Sequence, residues 1–369
     1  MADLFKPSNS GRARLVILAF ICSVVVVAVL KLAAQVLLPI TIGILLALVL
    51  YPLVLAFNKL RIPRIISIVL VVMIIAAGLY ALGMVIFSSG RAILSRYPRY
   101  ESRLTEIYVG VANFFNLSYD QDMSFFENVW NQIGVRQKIW GLTYSLSNAF
   151  IAFLGNALII LFLVLFLLIE ASQFNEKIEL AFAQRSDRVK RIGVGIMNQV
   201  ARYLAAKFFV SLLNGLAFAV GLSLMEVEFA LVWAVIQFIL NFIPSLGSIA
   251  SGFMVSLFAL LQFWPEPGPI IMVVVFVLAA NLIIGYILDP KVVGDNVGIS
   301  PLAALGSVLL WGWLWGFAGM VLAVPMMCIL KIICENFTFL EPVSILLSSK
   351  KAVRAKKSVQ EAPKQERTA

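Results

Sequence analysis

The chain has 369 residues, of which 62% are hydrophobic and 13% charged, with a formal net charge of +10. A soluble domain is normally about half apolar and about a quarter charged, so an ordinary soluble globular protein is excluded and an all-α polytopic membrane protein is indicated. The absence of histidine removes Ser-His-Asp, Cys-His and His-ligated metal chemistry, while the basic residues gather beside apolar runs, as cytoplasmic loops do, rather than marking a nucleic-acid surface.

In chain order, residues 15–30 form the first apolar run, extending towards Ala34 if Lys31 snorkels its stem. This start has the outline of a signal peptide, with Ala33-Ala34 mimicking a cleavage site. The many apolar runs that follow favour an uncleaved first membrane helix. The second run covers residues 36–57, with Pro39 near its start and Pro52 near its end, and a basic connector, 58–64, leads to the third at 65–87. Residues 1–87 are thus read as an N-terminal three-span region.

Residues 88–148 are different, mixing Arg91, Arg96, Arg99, Arg103, Glu101, Glu106, Asp120, Asp122 and Glu127 with aromatics. Apolar residues recur at helical intervals, Leu104, Ile107, Tyr108 and Val111, then Val129, Ile133 and Ile139, which predicts a small helical extramembrane insertion. It carries no chemical motif and reads as a spacer. Residues 150–169 are the fourth span. The following segment to 207 is basic, and Val189, Ile192, Ile196, Val200 and Leu204 mark one apolar stripe, predicting an amphipathic helix on the cytoplasmic surface. Region 149–207 is therefore the fourth span with its connector.

Region 208–347 begins with a fifth span, 208–224. An apolar stretch, 229–262, follows, a turn at 264–269, a further span at 270–288, a polar loop at 289–300, and a second apolar stretch at 301–334. At 1.5 Å per residue each stretch would extend roughly 51 Å as one helix, against about 30 Å of hydrocarbon. Both are interrupted near the middle. Each either crosses the membrane, giving about eight membrane segments, or forms a re-entrant hairpin. In the hairpin version, 208–262 and 270–334 become inverted repeats, with Asn214 and Asn281 in comparable places. The basic tail, 348–369, is expected to be disordered. Lys and Arg in the short loops place both termini inside and the 88–148 insertion outside. Cys22, Cys328 and Cys334 all lie in apolar runs and are read as small buried hydrophobes, with no disulfide or zinc framework.

The first interruption is Asn241-Phe242-Ile243-Pro244-Ser245-Leu246-Gly247. Pro244 removes a backbone donor and Gly247 permits unusual angles, so freed carbonyls, with Asn241 and Ser245, could bind a polar solute or a cation. The bland counterpart is a proline kink satisfied by neighbouring helices. Asp289-Pro290-Lys291 sits at a span end, where an intramembrane carboxylate is a functional candidate, or else a cap or a partner of Lys291. The second interruption holds Trp311, Trp313 and Trp315 with Gly312, Gly316 and Gly319. It reads either as an interfacial belt with close helix packing or as a hairpin tip whose second arm is bent by Pro325.

The run from Asn241 to Gly247, that from Leu288 to Asp295 (LDPKVVGD), that from Ile299 to Leu302 (ISPL), and the order Trp311-Gly312, Gly316 to Gly319 and Ala323-Val324-Pro325 resemble the autoinducer-2 exporter (AI-2E) family of transporters. The likeness covers most of the chain. It implies a bacterial inner-membrane protein that exports small polar molecules; members are linked to the quorum-sensing signal autoinducer-2, others to exchange of sodium or lithium for protons. It also implies a homo-oligomer, a pentamer, and an elevator-like movement of the motif-bearing half.

No phosphate-binding loop of the Walker type occurs, so alternating access without ATP is expected. The transport path is assigned to Asn214, Asn241, Pro244, Ser245, Gly247, Asn281, Asp289, Pro290, Gly312, Gly316 and Gly319. Asp289, with Asp295 and Glu226 behind it, is the candidate for ion coupling. Partners are the lipid bilayer and a small polar solute or monovalent cation, with no nucleic acid. No catalytic residue, cofactor or metal is expected. The alternatives are a sodium (lithium)/proton antiporter of the same fold, and a membrane structural or regulatory protein that transports nothing.

Overall fold

The computed structural model describes residues 9–114, 135–171, 186–292, 298–337 and 340–349, with residues 173, 177, 180 and 354. The described residues form helices and no sheet; a lone bridge pairs Ile299 with Ser348. Seven helices among them are long and apolar enough to cross a membrane, and two shorter apolar helices, Ile21–Leu32 and Ala230–Leu240, accompany them. Backbone groups have no partner in hydrocarbon, so a chain of this composition satisfies them within helices. Exposed Ile, Leu, Val and Phe side chains along these helices are what a lipid-facing surface requires.

Helices α1 (Asn9–Leu32), α2 (Ala34–Lys59) and α3 (Arg64–Ser95) follow the first three apolar runs, with both α2 prolines inside the helix. A long α5 (Val135–Glu170) returns after α4 (Tyr97–Phe114). Ala47, Leu50 and Val54 of α2 bury against Ile68 and Val71 of α3 and Val164 and Leu168 of α5. Arg64 donates to the Leu168 carbonyl at 3.2 Å, placing a cation at the C-terminal end of α5, where orphan carbonyls and the helix dipole favour it. Cys22, expected to be buried, is exposed on α1, while Cys328 and Cys334 are buried. Val129 and Ile133, assigned to the insertion's second stripe, lie outside the described residues.

Helix α6 (Ser186–Leu224) runs unbroken through both the basic connector and the fifth apolar run. The amphipathic segment is thus part of one longer helix. Ile196, Val200 and Leu204 of its stripe pack on protein, against Leu45 of α2 and Leu322, Val324 and Cys328 near the C-terminal end, because complementary apolar faces were available there.

Both interrupted stretches fold back on themselves. The first is α7 (Ala230–Leu240), a turn, and α8 (Leu246–Phe263), hereafter hairpin 1. The second is α11 (Pro301–Asn336), broken at Gly316, whose φ of 64° and ψ of −144° suit glycine. The Ser307 hydroxyl donates to the Ala323 carbonyl at 2.6 Å, whereas sixteen residues of straight helix would hold them roughly 24 Å apart. Hairpin 2 is thus residues 301–315 and 317–336 lying side by side. Between the hairpins run α9 (Pro267–Asn281), a π-helical turn (Leu282–Leu288) and the four-residue α10 (Asp289–Val292); α12 (Glu341–Leu347) follows hairpin 2.

Helix α6 serves as a ruler for the two hairpins. Phe218 and Leu222 pack on the base of hairpin 1, with Val227, Ala230, Val255 and Ala259. Val200 and Tyr203, roughly 27 Å lower on the helix, pack on hairpin 2. The hairpins therefore approach from opposite ends, and their tips meet: Ile243 of hairpin 1 is buried with Val308, Trp311, Leu314, Trp315 and Ala323. Trp311 and Trp315 belong to this packed tip, with ring centroids 4.9 Å apart, and the Trp315 indole donates to the Leu30 carbonyl of α1 at 3.0 Å. Trp313 is the exposed one of the three, with the Lys31 ammonium 3.9 Å from its ring centre.

Candidate functional site

The turn of hairpin 1 is built by its sequence. Pro244 cannot continue the α7 ladder, and Ser245 takes a φ of 61°. A Cβ at Gly247 would stand 1.7 Å from the Leu240 carbonyl oxygen, so only glycine lets the arms approach this closely. The turn's own amides bond to several of its carbonyls. Ile243 donates to Leu240 at 2.9 Å, Gly247 to Ile243 at 3.2 Å and Leu246 to Pro244 at 2.6 Å. Local hydrogen bonding thus takes the carbonyls of Leu240, Ile243 and Pro244, and side chains add their polarity to the site.

Those side chains surround a cavity of about 510 Å³. Asn241, Pro244 and Ser245 contribute from the turn, and Ser248, Gly252 and Ser256 from one face of α8, four residues apart. Asn281 closes one side from α9, and Lys207 of α6 and Asp289, just past the π-turn, stand at another. The amide of Asn241 donates to the Ser211 hydroxyl at 2.9 Å and accepts from Ser248 at 3.4 Å. Asn281 donates to the Ser248 carbonyl at 3.2 Å and accepts from Gln237 at 3.0 Å. The Lys207 ammonium, its side chain 5% exposed, meets Asp289 Oδ2 at 2.7 Å. Asp289 Oδ1 is buried without a partner among the described residues.

The structure brings Asn241, Pro244, Ser245, Asn281 and Asp289 together, five of the residues assigned to the path. Gly247 shapes the turn without lining the cavity, and Pro290 lies beside Asp289 in α10. Asp289 pairs with Lys207, 82 residues earlier in the chain, and Lys291 is exposed. Asn214 is fully buried on α6, its amide atoms unpartnered among the described residues, and does not line the cavity. Gly312, Gly316 and Gly319 sit in hairpin 2. A Cβ at Gly319 would lie 1.9 Å from the Trp311 carbonyl oxygen, so this glycine permits arm-to-arm contact. Glu226 is exposed on the turn between α6 and α7, away from the cavity lining. Asp295 lies outside the described residues.

Sequence reading missed Lys207, Ser211, Gln237, Ser248, Gly252 and Ser256. Two signals were available. Gln237 interrupts an otherwise apolar α7, and Ser248, Gly252 and Ser256 repeat at the spacing of one helix face.

The arrangement is an open cavity beside the turn of a hairpin, where these polar groups stand among the apolar side chains of Ile243, Ile249, Phe253, Val277, Leu278 and Leu282, and it is suited to hold a small solute through a few hydrogen bonds. Comparison with known proteins agrees with a transport role. The family model described as "AI-2E family transporter" matches residues 17–339. The chain is 30% identical over 346 residues to YhhT of Escherichia coli (strain K12), covering 93% of this chain and 96% of that protein. It is 29% identical over 333 residues to a protein of Borreliella burgdorferi, covering 89% and 90%. It is 27% identical over 326 residues to the AI-2 transport protein TqsA of Escherichia coli (strain K12), covering 88% and 93%. With its polytopic helical fold and a family match over nearly its whole length, the chain belongs to the AI-2E family of membrane transporters.

Proposed function

We propose that this protein exports a small, neutral, hydroxyl-bearing solute, such as an autoinducer-2-like signal, across the bacterial cytoplasmic membrane. Transport proceeds by alternating access. The two hairpins are re-entrant from opposite faces, and with α6 and α9 they move elevator-like against the α2–α3–α5 bundle. Both termini are cytoplasmic, and the protein works as a homo-oligomer, pentameric by family resemblance.

One observation carries the choice of cargo. The amide oxygens of both cavity-lining asparagines, Asn241 and Asn281, already accept hydrogen bonds, from Ser248 and from Gln237, and the cavity's carboxylate is neutralised by Lys207. A dehydrated cation needs clustered bare oxygens, whereas a solute with hydroxyl and carbonyl groups matches the amides and serines that remain. The second reading, sodium (lithium)/proton antiport, draws on Asp289 Oδ1, the unpartnered oxygen beside the cavity.

Purified full-length protein in vesicles, assayed separately for autoinducer-2 and for sodium flux, tests both. Asn241→Ala is expected to lower autoinducer-2 flux about tenfold, since it removes one amide from the cavity. Sodium flux abolished by Asp289→Asn, without autoinducer-2 movement, would establish the second reading. Equal flux in wild type and both variants would remove the cavity from the path, and a protein moving neither probe would be a structural or regulatory partner.

A further inference from the structure

Gln237 is fully buried on α7, yet it does not line the cavity. Its hydrogen bonds nevertheless determine what the cavity offers. The deciding group is the Ser248 carbonyl, which can only accept, so the Asn281 atom 3.2 Å away is Nδ2. Asn281 Oδ1 then faces Gln237, and the Gln237 atom 3.0 Å from it must be Nε2. Gln237 Oε1 is left facing Ser251, whose hydroxyl donates to it, although the Gly247 and Ser248 carbonyls are also in reach at 2.9 and 3.2 Å. Reversing either amide alone sets like groups against each other. Reversing both sets the Asn281 oxygen against the Ser248 carbonyl. The relay runs one way.

We infer that Gln237 is a positioning residue for the cargo cavity: through the relay from Ser251 it holds Asn281 with its oxygen engaged and its second N–H free for a cargo oxygen. The relay also ties α7, α8 and α9 together, since Gln237, Ser251 and Asn281 lie one on each. This rests on the reading of the cavity as the cargo site, and it adds a group that sets specificity without touching cargo.

The test uses Gln237→Glu, which keeps size and shape. An ionised carboxylate only accepts and opposes Asn281 Oδ1; a protonated carboxyl donates to Asn281 and still accepts from Ser251. Full-length wild type and variant are compared in vesicles and in detergent across about pH 5 to 8. Lys207 and Asp289, the charged pair on the same cavity, are present in both, so the difference isolates position 237. The variant's KM for autoinducer-2 is expected to rise about tenfold from the acid to the neutral end relative to wild type, with kcat changing less. Its thermal midpoint is expected to fall in parallel. A KM and midpoint equal to wild type at both ends, or shifted equally at both, would overturn the inference. Ser251→Ala, which adds no titratable group, is expected to raise KM independently of pH. Should Gln237→Glu not fold, an unchanged KM in Ser251→Ala is the overturning result. If wild type moves no autoinducer-2, the cargo reading fails by itself, and the pH-dependent midpoint decides the relay.

Discussion

At the level of single residues the Lys207–Asp289 pair carries a large electrostatic stake. Lys207 is 4% exposed, and a lone ammonium at that depth would be strongly disfavoured. Its 2.7 Å contact with Asp289 answers most of that cost. Removing one partner of a buried pair costs more than replacing both, because the survivor keeps its desolvation penalty. Asp289→Asn is therefore expected to lower stability by about 3 kcal/mol, measured by unfolding in detergent. The double variant Lys207→Met with Asp289→Leu is expected to recover most of that loss and still transport poorly. Asp289 stood out in the sequence as a carboxylate at a span end. Its partner did not, because Lys207 adjoins a basic segment and no local pattern links positions 82 residues apart.

Among the elements, the hairpins show what a sequence displays and what it withholds. The interruptions were plain, since Pro244 and the glycines between Trp311 and Gly319 do not suit an apolar helix. Crossing or folding back was open, because either topology leaves the C-terminus on the same side and buries similar apolar length. Contacts between the arms show them folded back: Ser307 with Ala323, and Gly247 against Leu240 at the end of the opposing arm. The same contacts make some glycines irreplaceable and others incidental. Gly319→Ala would place a methyl group 1.9 Å from the Trp311 carbonyl oxygen, and backbone cannot retreat as a flexible side chain can. A loss of at least about 3 kcal/mol is expected, or failure to fold. Gly193, on α6, has open space around its Cβ position. Gly193→Ala is expected to be neutral or to stabilise by about 0.5–1 kcal/mol, as alanine does for glycine in a helix. Thermal midpoints of the two purified variants check the contrast; equal midpoints would mean that the arms of hairpin 2 are not in contact.

Across the whole molecule, α4 joins the two halves. It is carried between α3 and α5 of the N-terminal bundle, yet it seats on the base of hairpin 1. Glu228, between α6 and α7, meets Arg96 at 2.8 Å, Arg99 at 3.2 Å and the Tyr100 hydroxyl. Arg103 donates to the Trp264 carbonyl at 2.7 Å, and Gln262 binds the Glu228 amide and the Glu226 carbonyl, each at 2.8 Å, closing the base of the hairpin. Burial alone would raise the Glu228 carboxyl, but hydrogen bonds from Tyr100 and Arg96 and the charges of Arg96 and Arg99 outweigh it, so its pKa lies below the ordinary value. A carboxylate depressed by folding contributes stability above its unfolded value of about 4.3 and loses it as pH falls through the folded one. Burial, then the bond to Glu228, raises Tyr100, so its contribution holds below the ordinary phenol range near about 10 and is lost as pH rises through the raised value. The attachment of α4 should thus persist from mildly acidic to mildly alkaline pH and release in acid. Hydrogen exchange in α4 and in the turn before α7 is expected to accelerate together below about pH 4. In Glu228→Gln it should be fast already at neutral pH, with the acid step gone. Exchange in α4 that stays slow in that variant would mean that aromatic packing, Tyr100 on Phe258 with centroids 5.8 Å apart, holds α4 to hairpin 1 without the carboxylate.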